Sequence, residues 1–160
     1  MRPLHLLAIL TVLGVSAVGC GWSPPSAAPT SAKTCAPSDA PSAETVQQAI
    51  GNLPPAQQWR ETSRGRTLDC RLNWVVVNSG DASDSPQQVL FFDRNISLGP
   101  ATPEPRPYIN VTSMGNEIAN VQYQWRQGEE PACCPTGIGT VRFQIGDDGR
   151  IESLDPVPNP

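Results

Sequence analysis

Five cysteines constrain this chain more than any other feature, because an odd number cannot all pair with one another. They stand at Cys20, Cys35, Cys70, Cys133 and Cys134. Disulfides persist in oxidising compartments, where a leftover thiol needs its own explanation. A reading that consumes one cysteine chemically leaves four to pair, and the residues before Cys20 supply it.

Met1 to Gly19 opens with Arg2, runs through an apolar stretch from Leu6 to Val18 and ends in small residues. That stretch falls short of the roughly 20 residues a spanning helix needs, and it reads as a cleavable signal peptide. Ala17-Val18-Gly19-Cys20 looks like the box at which a bacterial lipoprotein is cut and acylated, so Cys20 is the expected lipidation site. Secretion by a general signal peptidase would also be served by Ala17 and Gly19, but it leaves the odd cysteine unexplained. A single acyl chain binds a membrane only reversibly, whereas the several chains of a mature lipoprotein hold firmly. From Cys20 to Thr34 the chain is rich in Pro, Ser and Ala, a semi-extended tether reaching roughly 40 Å at about 3 Å per residue. The expected location is the extracytoplasmic face of the cell membrane, with the membrane itself the first partner.

The remaining 35–157 segment, about 120 residues, suits one globular domain. Without Arg2 the 11 basic residues become 10 against 15 acidic ones, a formal charge of −5. Lys33 is the single lysine and the arginines are scattered among acids, so nucleic acid, which demands clustered positive charge, is excluded as a partner. The sole histidine, His5, lies in the leader, which removes imidazole bases and histidine metal ligands from the mature chain. No cofactor motif, metal site or catalytic residue is assigned, and the chain is expected not to be an enzyme.

The fold expected is α+β, one N-terminal helix packed on an antiparallel meander of about six strands. Ser42 suits a helix N-cap, Glu44 its first turn, and Val46, Ile50 and Leu53 share one helical face before Pro54-Pro55 stops it. A short turn is expected through Trp59, which reads as an anchor at the edge of the core. Strands are expected through Cys70–Val77, with apolar residues on both faces, and in the continuous run Val89–Phe92. A hairpin then leads through Asp93-Arg94-Asn95 to Ile96–Leu98. After a Pro-rich loop come Tyr108–Val111, an alternating strand at Val121, Tyr123 and Trp125, and a last hairpin from Val141–Ile145 to Ile151 through Asp147-Asp148-Gly149.

Ala49-Ile50 with Leu53-Pro54-Pro55, Cys70 with Leu72 and Trp74, and Pro86 with Val89-Leu90-Phe91-Phe92 form an ordered set. Leu98-Gly99 with Ala101-Thr102 and Tyr123 with Trp125-Arg126 continue it. Together they resemble the LppP/LprE family of actinobacterial lipoproteins over about Cys35 to Phe143. Pro100 departs from the threonine of that loop, and the segment around Cys133-Cys134 has no match in the pattern. The resemblance implies a lipid-anchored envelope protein and carries no established reaction.

Four cysteines allow three pairings. Cys35 with Cys70 is expected, and Cys133 and Cys134 then either form a vicinal disulfide or each reach an earlier cysteine. The pair Cys133-Cys134 is read as a staple closing the Gly128–Gly137 loop, with a redox or soft-metal site as the sharper alternative. Asp147-Asp148 reads as turn chemistry and Glu129-Glu130 as a solvated loop. The glycosylation patterns at Asn95 and Asn110 are read as coincidental. The leading functional expectation is a non-catalytic envelope module that binds a protein, glycan or lipid, with Tyr108 and Trp125 as contact candidates. The alternatives are a thiol- or metal-handling protein using Cys133-Cys134 and a carboxylate-only hydrolase, which needs two acids about 5 to 10 Å apart.

Overall fold

The computed structural model describes residues 34–55 and 58–159. The leader, Cys20 and the tether up to Lys33 lie outside the described residues. After a 3₁₀ turn at Pro37–Asp39, helix α1 spans Ala43–Gly51, and Ser42 Oγ accepts the Thr45 N–H at 3.1 Å. This cap satisfies a backbone donor that the helix itself leaves free. Val46 and Ala49 are buried, and so is Leu53 just beyond the helix end.

Among the described residues eight strands follow, in two sheets, and they correct the expected single meander of about six. β1 (Arg60–Arg66), β2 (Leu72–Asn78), β3 (Gln87–Asp93) and β4 (Ile96–Pro100) form one antiparallel sheet in chain order. β5 (Ile109–Met114), β6 (Ile118–Trp125), β7 (Gly137–Ile145) and β8 (Ile151–Ser153) form a second, also in chain order. The physical reason for two sheets lies in β2 and β3, whose side chains are apolar in both directions. One short helix covers one face only, so the opposite face needs a second apolar surface.

The layers follow from that requirement. Val75, Val77, Leu90 and Phe92 pack with Val46, Ala49 and Leu53 of the helix segment. Leu72, Trp74, Val76, Val89 and Phe91 face the other way, against Ala119, Val121, Tyr123, Val141 and Phe143 of the second sheet. Phe91 and Phe143 join the sheets with ring centroids 5.1 Å apart and a tilt of 40°, a geometry that aromatic quadrupoles favour over a face-to-face stack. The segment from Pro100 to Pro107 carries the chain between the sheets. It is held where Gln87 and Arg106 exchange backbone hydrogen bonds of 2.9 Å and where the Gln88 side-chain amide donates to the Thr102 carbonyl at 2.8 Å.

The Cys35–Cys70 disulfide is present, with Cα atoms 5.5 Å apart, and ties the start of the domain to the corner before β2. Cys70 is 1% exposed and adopts the left-handed φ of 67° that this corner requires. The β3–β4 hairpin is also drawn to α1. Asn95 Oδ1 accepts the Ser42 backbone N–H at 2.7 Å and the Thr45 hydroxyl at 2.8 Å. Trp59 packs beside the helix cluster, its indole N–H donating to the Pro54 carbonyl at 3.3 Å.

β1 has no apolar alternation, and six of its seven residues are exposed. It is an edge strand whose exposed charges discourage pairing with another chain. Gly65 is its one constrained position, since a Cβ there would overlap the Trp74 indole. The second sheet repeats the device: Trp125 lies over Gly137, its cross-strand partner.

Candidate functional site

The outer face of the second sheet is built by strict alternation. In β6, Ala119, Val121 and Tyr123 are buried while Asn120, Gln122 and Gln124 point the other way and stay partly exposed. The register places Asn110, Gln122 and Thr140 in one row across β5, β6 and β7, and Thr112, Asn120 and Arg142 in the next. Five of these six side chains are uncharged groups that donate or accept hydrogen bonds. Arg142, the sixth, is engaged with Asp155: its Nε, terminal nitrogen and backbone N–H all reach that carboxylate at 2.9, 2.9 and 3.0 Å. Hydrogen bonds from Arg142 hold the Asp155 carboxyl down to about 2. Exposed Ile138 and Met114 lie at opposite ends of this face.

Beyond the Gln124 and Ile138 end lies the segment 126–136, which carries Cys133 and Cys134. The structure joins the two sulfurs as a vicinal disulfide, Cα atoms 3.8 Å apart, and leaves both residues exposed. The Cys134 N–H donates to the Pro131 carbonyl at 3.1 Å, closing a turn around them. The Ala132 carbonyl in that turn accepts the Tyr108 hydroxyl at 2.5 Å and the Ser83 hydroxyl at 3.2 Å. Ser83 belongs to the β2–β3 loop and Tyr108 precedes β5, so one carbonyl links the turn to both sheets. Glu130 accepts the N–H of Gln127 at 2.8 Å, the N–H of Thr136 at 3.0 Å and the Thr136 hydroxyl. The Thr136 hydroxyl and then these N–H groups hold its carboxyl below the usual range. Glu130 therefore brings the two ends of the segment together.

Tyr108 is half-buried with its hydroxyl engaged by Ala132, and Trp125 is half-buried against Gly137. They occupy the same end of the second sheet, where the Gln124 N–H donates to the Tyr108 carbonyl at 3.2 Å. Tyr123 lies deeper, 1% exposed, with the Arg106 guanidinium 5.6 Å from its ring centroid. Burial pushes its hydroxyl up to about 12, against the opposing charge of Arg106.

A third region gathers acids that sequence pairing does not connect. Asp69, Glu117 and Asp147 line an open cleft of about 410 Å³ together with Arg71. Arg71 points its guanidinium at Asp93, with nitrogens 3.0 and 2.8 Å from the same oxygen. Asp69 is engaged in its own turn, accepting the Thr67 hydroxyl at 2.5 Å and the Arg71 N–H at 3.0 Å. Asp148 likewise accepts the Arg150 N–H at 3.0 Å, in a turn that Gly149 completes at a φ of 76°. Among the described residues no group of three or more His, Cys, Asp and Glu side chains is placed to hold a metal.

The chain is 51% identical over 152 residues to the protein named LppP of Mycobacterium bovis, an alignment covering 92% of this chain and 87% of that one. The LppP proteins of two strains of Mycobacterium tuberculosis match over the same length at the same identity. No solved structure matches it. Residues 64–148, from the end of β1 into the β7–β8 turn, match the LppP/LprE lipoprotein pattern. On both grounds the chain belongs to the LppP/LprE lipoprotein family.

Proposed function

We propose that this protein is a lipid-anchored, non-catalytic envelope module that binds an uncharged, hydroxyl-rich ligand, a glycan, on the outer face of its second sheet. The observation carrying this reading is the pair of cross-strand rows Asn110–Gln122–Thr140 and Thr112–Asn120–Arg142. An amide side chain donates and accepts at once, as neighbouring sugar hydroxyls do, and burying neutral groups costs far less than burying charges. A protein partner would favour aromatic anchors and an apolar centre, and this face holds its exposed aliphatic residues only at its ends. The anchor on Cys20 rests on the leader and on the family, and the tether would hold the domain clear of the membrane. The non-catalytic reading is supported by the engagement of Asp69, Asp148 and Glu130 in turns.

The test uses the purified full-length chain in detergent on an array of neutral oligosaccharides, followed by titration of the best binder. Asn120→Ala/Gln122→Ala removes two hydrogen-bonding side chains and is expected to weaken binding by about tenfold or more without changing the unfolding midpoint. Failure to bind any neutral oligosaccharide, or equal binding by the double variant, would sink the reading.

A further inference from the structure

We propose that Cys133–Cys134 is a thiol-exchange site: a disulfide that an external dithiol reduces while the fold stands, and whose opening loosens the Ala132 turn between the two sheets. The inference does not depend on the glycan reading and uses none of the six residues of the proposed glycan face.

The bond has little to offer as a staple. A disulfide stabilises by shortening the unfolded chain's loops, and its effect grows with the length of chain closed. Cys35–Cys70 spans a sequence separation of 35, whereas Cys133–Cys134 spans 1 and closes only the peptide between its own residues. The expectation of a staple across Gly128–Gly137 meets Glu130 instead, which already holds that segment through Gln127 and Thr136. Opening the bond therefore leaves the segment's ends in place.

Access separates the two disulfides as well. Cys70 is 1% exposed and Cys35 is partly buried, while Cys133 and Cys134 are both exposed. An attacking thiolate must approach a sulfur from outside, so the vicinal bond is the more open of the two. The exchange balances as follows. One thiolate of the dithiol attacks a protein sulfur to form a mixed disulfide, and the other protein sulfur leaves as a thiolate and takes up a proton. The second reductant thiol, losing its proton, then attacks the reductant sulfur of the mixed disulfide, and the remaining protein sulfur leaves as a thiolate and takes up a proton. Two electrons and two protons have passed to Cys133 and Cys134, and the reductant is oxidised to its own disulfide.

The consequence is structural because of what the ring constrains. The turn whose third and fourth residues are Cys133 and Cys134 presents the Ala132 carbonyl to Tyr108 and Ser83. Pro131 and Pro135 fix the backbone on either side, so the peptide between the two cysteines is the freest part of the turn once the sulfurs separate. Reduction then weakens the hydrogen bonds to Ala132 and loosens the link between the β2–β3 loop and the start of β5.

The experiment takes the non-reduced full-length protein, titrates it with dithiothreitol, labels thiols and maps them by peptide mass spectrometry, with amide exchange measured alongside. Cys133 and Cys134 are expected to label at a dithiol concentration about tenfold or more below that needed for Cys35 and Cys70, with circular dichroism unchanged. Amide exchange within 126–136 is expected to quicken on reduction. In Cys133→Ser/Cys134→Ser it is already fast and no longer responds to reductant, and Tyr108→Phe quickens it without reductant. Labelling of all four cysteines together, labelling of Cys133 and Cys134 before any reductant is added, or reduction without a change in exchange would each overturn the proposal.

Discussion

The two sheets share one topology and differ in what surrounds them. In the first, β2 is buried from Leu72 to Val77 because α1 covers one face and the second sheet covers the other. In the second, β6 and β7 alternate between buried and open residues, because only the inner face meets the core. A sheet buried on both faces can offer a ligand only its edges and loops. Its substitutions are read out as stability, whereas the outer side chains of the second sheet are free to be chosen for something other than packing.

The contrast is tested most severely by truncating one residue from each. Phe91 is 0% exposed and meets Phe143 across the core; Phe91→Ala is expected to cost about 3 to 5 kcal/mol in a denaturant titration. Gln122→Ala, on the outer face, is expected to stay within about 0.5 kcal/mol. A large loss at Gln122 would break the comparison. The disulfides give the next test. Cys35→Ser/Cys70→Ser is expected to lose about 4 kcal/mol, the loop entropy of a closure of that length. Cys133→Ser/Cys134→Ser is expected to lose less than about 0.5 kcal/mol, because a bond between neighbours restricts almost nothing in the unfolded chain.

The glycine and tryptophan pairs ask whether the sheets are equally unforgiving where both are packed. Gly65 under Trp74 and Gly137 under Trp125 each leave no room for a Cβ. Gly65→Ala and Gly137→Ala are each expected to cost about 1 to 3 kcal/mol, the range for overpacking. A neutral result at one site only, read from the unfolding midpoint, would show that the indole there can swing aside.

Legibility in the sequence follows the same division. α1, with Ser42 as its cap, and the strands β2, β3 and β6 are visible because hydrophobic period and capping are local signals. β1 is not, since Arg-Glu-Thr-Ser-Arg-Gly-Arg has no apolar face and becomes a strand only because β2 needs a neighbour on that side. The second sheet was foreshadowed by the two-sided apolar character of Cys70–Val77, which one helix could not cover. Of the candidate site, the wet face of β6 could be read directly. The rows that join it to Asn110, Thr112 and Thr140 depend on register, which sequence alone leaves open. The Ala132 turn was invisible for a different reason. It is a backbone carbonyl meeting hydroxyls 24 and 49 residues away, and no residue type announces it.

The smallest effect concerns how the tail closes the second sheet. Beyond β8 the Leu154 N–H still donates to the Arg142 carbonyl at 2.8 Å, and Asp155 then engages the Arg142 side chain and N–H. Val157 packs on the core, and the Pro158 carbonyl accepts from Arg106 at 2.6 Å. The Asp155 carboxyl is held at about 2, below its ordinary 3.8, chiefly by the Arg142 side chain. A carboxyl lowered by folding stabilises fully above its unfolded value and loses that contribution as the pH falls through its folded one. The tail's hold is thus complete above about pH 4 and lost towards about pH 2, where the protonated acid no longer accepts two charge-assisted bonds. Asp155→Asn is expected to flatten the fall of the unfolding midpoint across that interval and to quicken amide exchange at Leu154 at neutral pH. In the first sheet the contacts that cover β2 and β3 are mainly apolar, and the Arg71–Asp93 pair lies at one end of that hairpin. An equally steep acid response in Asp155→Asn would move the acid-sensitive contact off the tail and onto another carboxylate, with Glu130, held below its usual range by Thr136 and Gln127, the first to examine.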